Sequence, residues 1–195
     1  MDPVMFRRGM SVYIRPIERA DIPLMLRGIN NPDVTEHLAR VFPAYEAEEE
    51  DLVAGLHKNT TGYMFAIVLL EDHRVIGVIG LHGIKWPNRT ATTGTAIWST
   101  DDQGRGYGTE AKMLLLDFAF NALDLLMIQS LVRASNGRSL RYADKCGYKE
   151  VGRIPQWLRC QDGDGRDDEV ILIVSQERWR PLWLDYKAKR DANKM

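Results

Sequence analysis

The chain has 195 residues, of which 45% are hydrophobic, and this is enough for one compact domain with a buried core. Its formal net charge of -1 and its pI near 6.4 offer no basic surface to a polyanion, which argues against nucleic acid as a ligand. Two cysteines, Cys146 and Cys160, are too few for a disulfide scaffold and lie in no metal-ligand pattern, so we expect no metal.

The chain carries no pattern typical of export or membrane insertion. Its opening residues, Met1–Gly9, lack the apolar run of a signal peptide. The longest apolar stretches, Met64–Leu70 and Val170–Val174, have the length of a strand and are too short to cross a bilayer. We therefore expect a cytoplasmic protein without a membrane partner.

The first quarter of the chain predicts one strand followed by helices. Val12–Pro16 has strand character, and Asp21 is placed to cap a helix over Ile22–Asn30. A second short helix is expected over Pro32–Ala39. Ala47–Asn59 is acidic at its start and basic at its end, a charge order that suits the helix dipole.

The middle of the chain predicts strands that lead into a glycine-rich loop. Tyr63–Leu70 and Arg74–Gly80 are apolar and rich in β-formers, which indicates a hairpin. Thr92–Ser99 is dense in β-branched residues and predicts a further strand. The loop Asp101–Gly108 then leads directly into Thr109–Ala122, whose apolar residues fall on one face of a helix.

The last third alternates between strands and helices. It predicts a strand at Ile128–Ala134, a helix at Ser139–Lys145, and strands at Tyr148–Ile154 and Glu169–Ser175. Antiparallel strands followed by a β-loop-α-β-α unit are typical of a mixed α+β domain, which we place at residues 1–178. Residues 179–195 form a basic, Trp-containing helical extension that either covers this domain or joins a homodimer.

The central motif is the loop Gln103–Thr109, which lies between a strand and a helix. Its glycines allow a tight turn, and the free N–H groups of the following helix suit an anion such as a pyrophosphate. The spacing Gly-x-Gly-x-Gly and the following Arg133-Ala134 do not match a dinucleotide fingerprint, and the Gly-Lys-Ser/Thr of a Walker loop is absent. For the loop alone, a plain glycine-rich turn is the alternative.

A second motif follows one strand later, as Asn136-x-x-Ser139 and then Lys145-x-Gly147-Tyr148. This pair of motifs resembles the GNAT acetyltransferase superfamily. Trp86-x-Asn88-Arg89 before a strand, with Gly106–Ala111, is similar to its RimJ/RimL-like branch of ribosomal-protein N-terminal acetyltransferases. The resemblance covers about residues 11–175. It implies a GNAT fold, whose mixed, mostly antiparallel twisted sheet is splayed at the acetyl-CoA site and flanked by helices.

The resemblance implies that acetyl-CoA is the co-substrate and that no metal takes part. The loop amides would bind the pyrophosphate, which assigns to the cofactor Gln103, Gly104, Arg105, Gly106, Tyr107, Gly108 and Thr109. The preceding strand would pair with the pantetheine arm through Ile97, Trp98 and Ser99. The amide of Ile97 or Trp98 would polarise the thioester carbonyl. Asn136 and Ser139 match the second motif, although Asn136 is also a good helix cap.

The reaction implied is direct attack of a primary amine on the thioester, which needs a proton donor for the thiolate and a route for the amine proton. Ser139 occupies the position of a serine proposed as the donor in RimL-like enzymes. Many relatives have a tyrosine four residues later, where this chain has Ala143. Tyr142 is one residue away from that position, which is roughly 100° around a helix. Tyr142 is therefore either a second candidate donor or a packing residue.

The base is less defined, because the glutamate that often ends the strand before the cofactor strand is absent from Thr92–Gly94. His82 at a strand end and a chain of waters are candidates. Acidic residues near the last strand are also candidates for the base, although they could simply form a solvated turn. They are Asp162, Asp164, Asp167, Asp168 and Glu169. Glu36 and His37 are further candidates for the base. They lie in the segment that lines the acceptor groove in the family, and we expect them to contact the substrate.

The acceptor implied is an amine, on a peptide N-terminus, a polyamine or an antibiotic-like small molecule. The acidic run Glu46–Asp51 could attract such a cation, or it could simply be a solvated helix start. The alternative function is a non-catalytic, regulatory module that binds acyl-CoA. Its motivation is that the expected glutamate and tyrosine are missing.

Overall fold

A computed structural model describes residues 4–35, 42–160 and 165–192 as an eight-stranded sheet flanked by helices. The strand order is β1-β2-β3-β4-β5-β6-β8-β7, and every neighbouring pair is antiparallel except β5 and β6. The strands are β1 Arg7–Arg8, β2 Val12–Pro16, β3 Tyr63–Leu69, β4 Val75–Lys85, β5 Thr90–Ile97, β6 Met127–Arg133, β7 Lys149–Arg159 and β8 Arg166–Ser175. This arrangement confirms the predicted α+β class with a mostly antiparallel sheet.

Six α-helices accompany the sheet in the described part of the chain. They are α1 Ile22–Ile29, α2 Pro32–Thr35, α3 Glu46–Gly55, α4 Tyr107–Asp117, α5 Gly137–Lys145 and α6 Gln176–Ala192. Helix α4 continues as a π-helical turn over Phe118–Ala122. The predicted helix at Pro32 is described only as far as Thr35, and Glu36 and His37 lie outside the described residues.

The two faces of the sheet have separate cores, as the alternation of side chains along a strand requires. Along β2, Val12 and Ile14 belong to a large core with residues of α4, α5 and α6, whereas Tyr13 belongs to a smaller core with Met25 of α1. We call these sides of the sheet the α4 face and the α1 face. Trp98 also belongs to the α1 face.

Helix α6 packs onto the α4 face through a ladder of aromatic rings. Trp179 lies 5.2 Å from Phe120 and 5.3 Å from Trp183, and Trp183 stacks on Tyr186. The Tyr186 hydroxyl donates a hydrogen bond of 2.7 Å to the buried carboxylate of Glu110 on α4. The helix therefore contributes to the main core, and it begins at Gln176, three residues before the predicted tail.

Two local expectations are wrong. The Asp21 carboxylate does not cap α1: it accepts two hydrogen bonds from Arg15, at 2.7 and 2.8 Å, and one from the backbone N–H of Glu18. It closes the turn before the helix instead. Asp167 and Asp168 do not lie in a solvated turn but in β8, which begins at Arg166, three residues before the predicted strand at Glu169, and forms a long hairpin with β7. Asp162 and Asp164 lie outside the described residues.

Candidate active site

A cleft opens where β5 and β6 separate. The two strands pair only at Thr90–Thr92 with Met127–Gln129, and they diverge from Thr93 onward. Both diverging strands line a cavity of about 490 Å³, together with the glycine loop and α5. Separated parallel strands leave backbone groups without their ladder partners, so an extended ligand can replace a strand there.

The glycine loop forms one wall of this cleft. Gly104 has φ 78° and Gly106 has φ 90°, left-handed conformations that favour glycine, and neither position has an atom within 4 Å of where a Cβ would lie. Gly106 precedes the first residue of α4 and no side chain caps that helix. The first N–H groups of α4 are therefore available to an anion in the loop.

The predicted loop residues divide into those that line the cleft and those that do not. Among the described residues, the cavity is lined by Gln103, Gly104, Gly106, Gly108 and Thr109. Arg105 and Tyr107 lie in the same loop but are not part of the lining, and Arg105 acts at longer range, lowering the pKa of Asp102 after the larger effect of Arg74.

Buried polar atoms of cleft-lining residues have no hydrogen-bond partner. Gln103 donates through Nε2 to the carbonyl of Ile97 at 3.1 Å, but its Oε1 is unpartnered, as is Nε of Arg133. Buried polar groups normally find partners, so these atoms indicate a ligand with amide groups. The pantetheine arm of coenzyme A has such groups, and the residues present therefore fit this cofactor.

The structure distinguishes between the two candidate amides on β5. The N–H of Trp98 donates to the carbonyl of Ile76 on β4 at 3.0 Å, so it is already engaged. Because an antiparallel ladder alternates, the N–H of Ile97 points to the other side, toward the cleft. Ser99 accepts a bond from the N–H of Asp101, and neither Trp98 nor Ser99 lines the cavity.

The second motif begins α5 at the opposite wall. The Asn136 side chain accepts a hydrogen bond of 3.0 Å from the N–H of Ser139, so it caps the helix, and both residues also line the cleft. The capping and cleft interpretations of Asn136 are thus compatible. Tyr148, from the end of this motif, shares a hydrogen bond of 3.0 Å with the hydroxyl of Thr93 on β5.

Tyr142 lies on the cleft wall despite its one-residue offset from the expected position. Burial raises its pKa to about 12, and the neighbouring Thr95 hydroxyl opposes that shift. Ala143, which occupies the expected position, is buried in the core. The offset therefore does not remove a tyrosine from the cleft, because α5 presents Ser139 and Tyr142 to it at helical spacing.

A group of basic side chains, which the sequence motifs did not indicate, surrounds the cleft. Arg138, Arg141 and Lys145 line it from α5, and Arg133 lines it from the end of β6. Basic residues at helical spacing after Asn136 were the available signal. Such a group suits the several phosphate charges of a nucleotide cofactor.

A lysine lies buried behind Tyr142. Lys112 of α4 is 1% exposed, its Nζ has no hydrogen-bond partner, and this atom lies 5.8 Å from the ring centres of both Tyr142 and Tyr148. Burial lowers the pKa of Lys112 to about 7. Its place in an otherwise apolar helix face provides no signal that sequence reasoning could have used.

His82 occupies the α1 face, beside the cleft rather than in its wall. It pairs with Thr92 across β4 and β5, and its ring would contact a Cβ on Gly94, which does line the cavity. Desolvation, followed by the charge of Lys112, lowers the pKa of His82, so the ring is neutral at pH 7. A neutral imidazole can accept a proton.

Other predicted acids are engaged elsewhere. Asp167 accepts hydrogen bonds from the N–H and hydroxyl of Ser135, and Asp168 accepts one from the N–H of Gln156. Glu50 of α3 pairs with Arg19 at 2.5 Å. No residue of α3 lines the cleft in the part of the chain that the structure describes.

Residues 4–35, 42–160 and 165–192 include no group of three or more His, Cys, Asp or Glu side chains that could hold a metal ion. Nor does any helix in these ranges have the length and apolar character needed to cross a membrane.

The chain is similar to known acetyltransferases in sequence. Residues 11–149 match the family model described as the acetyltransferase (GNAT) domain. The Bacillus subtilis (strain 168) protein named Probable N-acetyltransferase YjcK is 28% identical over 183 residues, which cover 87% of this chain and 97% of that protein. Spermidine N(1)-acetyltransferase of Escherichia coli (strain K12) is 27% identical over 74% of this chain and 76% of its own length.

Solved structures show the same fold. Spermidine N-acetyltransferase from Vibrio cholerae, in complex with CoA and spermine, has a TM-score of 0.78 at 21% identity, over 86% of this chain and 97% of that chain. These relatives do not single out the RimJ/RimL-like branch, which stays a prediction. The matched family model spans most of the sheet and both walls of the cleft. The chain belongs to the GNAT family of acetyltransferases and is an acetyl-CoA-dependent N-acetyltransferase.

Proposed function

We propose that the chain transfers an acetyl group from acetyl-CoA to a primary amine by direct attack inside the β5–β6 cleft. The observation that carries this proposal is the divergence of β5 and β6 after Thr92, with the glycine loop at one mouth and unpartnered polar atoms inside. Coenzyme A would lie along β5, with its pyrophosphate on the amides of Gly104–Gly108. The N–H of Ile97 would stabilise the oxygen of the thioester as charge develops there.

Tyr142 and Ser139 would supply the proton to the departing thiolate. Both line the cleft from α5. Because burial raises the pKa of Tyr142, its phenol stays protonated at neutral pH and can donate. As the amine nitrogen bonds to the acyl carbon, the carbon–sulfur bond breaks and the sulfur takes this proton.

The amine would approach from the α1 face, where Val34 of α2 reaches the cleft wall. His82 lies on that face beside Gly94, and its lowered pKa makes it a neutral acceptor for the proton that the amine loses. It would act directly or through one water. Base and acid would then stand on opposite faces of the sheet, so that separate groups serve the two proton transfers.

We infer that small polyamines are the first acceptors to test. The E. coli relative is named for spermidine, a polyamine. Peptide N-termini, which the predicted RimJ/RimL-like branch would use, form the second class, and antibiotic-like amines form the third. Glu36 and His37 remain proposed acceptor contacts.

The test is release of free thiol from acetyl-CoA with each amine class, together with a thermal-shift titration using acetyl-CoA alone. The proposal predicts thermal stabilisation by acetyl-CoA and thiol release with at least one class. Stabilisation without turnover over a broad panel would indicate the non-catalytic module instead. Absence of any shift with acetyl-CoA would contradict the cofactor site itself.

We also propose that the chain self-associates, as a homodimer or a larger assembly. One structure of the Vibrio cholerae spermidine N-acetyltransferase, a relative in fold, is described as dodecameric in an intermediate state. On this chain, Met127 of β6 is 49% exposed and does not line the cleft, so a second copy could cover this apolar side chain. Light scattering would measure the mass in solution, and a monomer at all concentrations would contradict this.

A further inference from the structure

A buried carboxylate stands at the entrance of the proposed pyrophosphate site. Asp102 is 5% exposed, lines the cleft and immediately precedes the loop residue Gln103. A negative charge in a site for a dianionic pyrophosphate should weaken binding, because repulsion at short range is only partly screened in a partly buried site. A nearby positive charge is therefore needed to offset the charge of Asp102.

The compensation comes from a distant part of the chain. Arg74, at the end of the β3–β4 turn, donates two hydrogen bonds to the Asp102 carboxylate, through Nη1 at 2.7 Å and Nη2 at 2.9 Å. Arg74 is fixed in turn by its own backbone, whose N–H donates to Asp72 and whose carbonyl accepts from Leu69. Planar, paired hydrogen bonds of this kind fix orientation as well as charge.

The two partners differ in how far they reach solvent. The Arg74 side chain is 50% exposed, whereas that of Asp102 is 6% exposed. Pairing with Arg74 holds the pKa of Asp102 below its usual range, so the carboxylate is charged at neutral pH. The loop thus cannot relieve the repulsion by protonating Asp102.

We propose that Arg74 is a positioning residue for coenzyme A, which acts by cancelling the charge of Asp102 beside the glycine loop. The inference rests on the proposed binding of coenzyme A in this cleft. Arg74 itself does not line the cavity. It acts on the cofactor through Asp102.

The test is calorimetric titration of acetyl-CoA into the wild-type chain and into Arg74→Gln, Asp102→Asn and the double variant. We expect Arg74→Gln to weaken binding about tenfold, because the bare carboxylate then faces the pyrophosphate. Asp102→Asn alone should bind as tightly as the wild-type chain or more tightly. The double variant should return to within about threefold of the wild-type affinity.

Each other pattern would overturn the proposal. If the double variant stays as weak as Arg74→Gln, Arg74 contacts phosphate directly. If Asp102→Asn is as weak as Arg74→Gln, the pair only holds the loop's shape. If Arg74→Gln binds normally, the pair has no role in cofactor affinity.

Further measurements separate this role from general stability. Arg74→Lys keeps the charge and should recover most of the affinity lost in Arg74→Gln. Because Arg74 does not line the cleft, kcat at saturating acetyl-CoA should change little in both Arg74 variants. Arg153→Gln is the matched control, because Arg153 makes a similar two-bond contact with Glu150 on β7 and does not line the cleft. It should bind acetyl-CoA as the wild type does. Failure of the wild-type chain to bind acetyl-CoA would contradict the site, not the role of Arg74.

Discussion

The two sides of the cleft are built in different ways. The cofactor side comes from two short, continuous segments, Gln103–Thr109 and Asn136–Lys145, each at the start of a helix. The proposed acceptor side is assembled from separate elements, with Val34 on α2, His82 on β4 and Gly94 on β5. A ligand common to a whole family is held by backbone groups at fixed spacing, whereas the variable ligand meets side chains brought together only by folding.

The largest expected effect is at the loop glycine with φ 90°. Gly106→Val should weaken acetyl-CoA binding about 30-fold or more, because a β-branched residue in this conformation is strained by roughly 2 kcal/mol and the loop would shift to relieve it. Gly83→Val is the control, since Gly83 also has a positive φ and open space around it but lies outside the cleft wall. Equal losses of acetyl-CoA affinity in both variants would show that backbone strain alone, and not the loop, is being measured.

The next effect concerns the wall behind Tyr142. Lys112→Met should raise the free energy of unfolding at pH 7 by about 2 kcal/mol, because an unpaired buried amine is replaced by a side chain of similar length. Since the pKa of Lys112 falls from 10.5 to about 7 on folding, the unfolded chain binds more protons between these values. Wild-type stability should therefore rise from pH 7 to pH 10 and level off below pH 7.

Urea unfolding of the two proteins at several pH values measures both parts of this expectation. The Lys112→Met variant should lose the rise of stability above pH 7. An unchanged slope in the variant would mean that Lys112 is solvated or paired in solution.

A smaller effect is expected for the proposed proton donor. Tyr142→Phe should lower kcat about tenfold and leave the KM for acetyl-CoA nearly unchanged, because only the proton transfer is lost. Tyr148→Phe removes a hydroxyl that bonds Thr93 in the core, so it should reduce stability and spare kcat. If Tyr142→Phe keeps full kcat, Ser139 alone carries the role, and Ser139→Ala would then show the loss.

The smallest effect lies on the acceptor side. His82→Gln should reduce kcat/KM for the amine about fivefold, since water can partly replace a base. Because the pKa of His82 is lowered below 6.5, wild-type activity should fall only when the pH drops below that value, where the ring becomes protonated. If His82→Gln loses activity at low pH just as the wild-type chain does, a group other than His82 is responsible for that loss.

The sequence was most informative where function depends on neighbouring residues. The order of strands and helices along the chain, the glycine loop and the motif from Asn136 to Tyr148 were predictable, because backbone geometry and capping depend on local residues. Tyr142 was underestimated, because its distance from the cleft depends on where α5 begins and how it is turned. Asp21 was misassigned, because its partner Arg15 lies in a different element.

Contacts between residues far apart in the chain could not be predicted from the sequence, because they too depend on how separate elements pack. Arg74 and Asp102 are 28 positions apart, and nothing in either segment indicates that the two side chains meet. The buried Lys112 is similar, since one lysine on a helix is ordinarily solvated. The acceptor side of the cleft is built from such distant residues. The sequence therefore predicted that the acceptor is an amine but did not indicate which amine.

The most direct test is a structure of the chain with acetyl-CoA. The pyrophosphate should contact the amides of Gly104–Gly108, and the thioester oxygen should lie within hydrogen-bond distance of the Ile97 N–H. The sulfur should lie next to the Tyr142 or Ser139 hydroxyl. Acetyl-CoA bound outside the β5–β6 cleft, or bound there with its thioester turned away from both Ile97 and α5, would contradict the account.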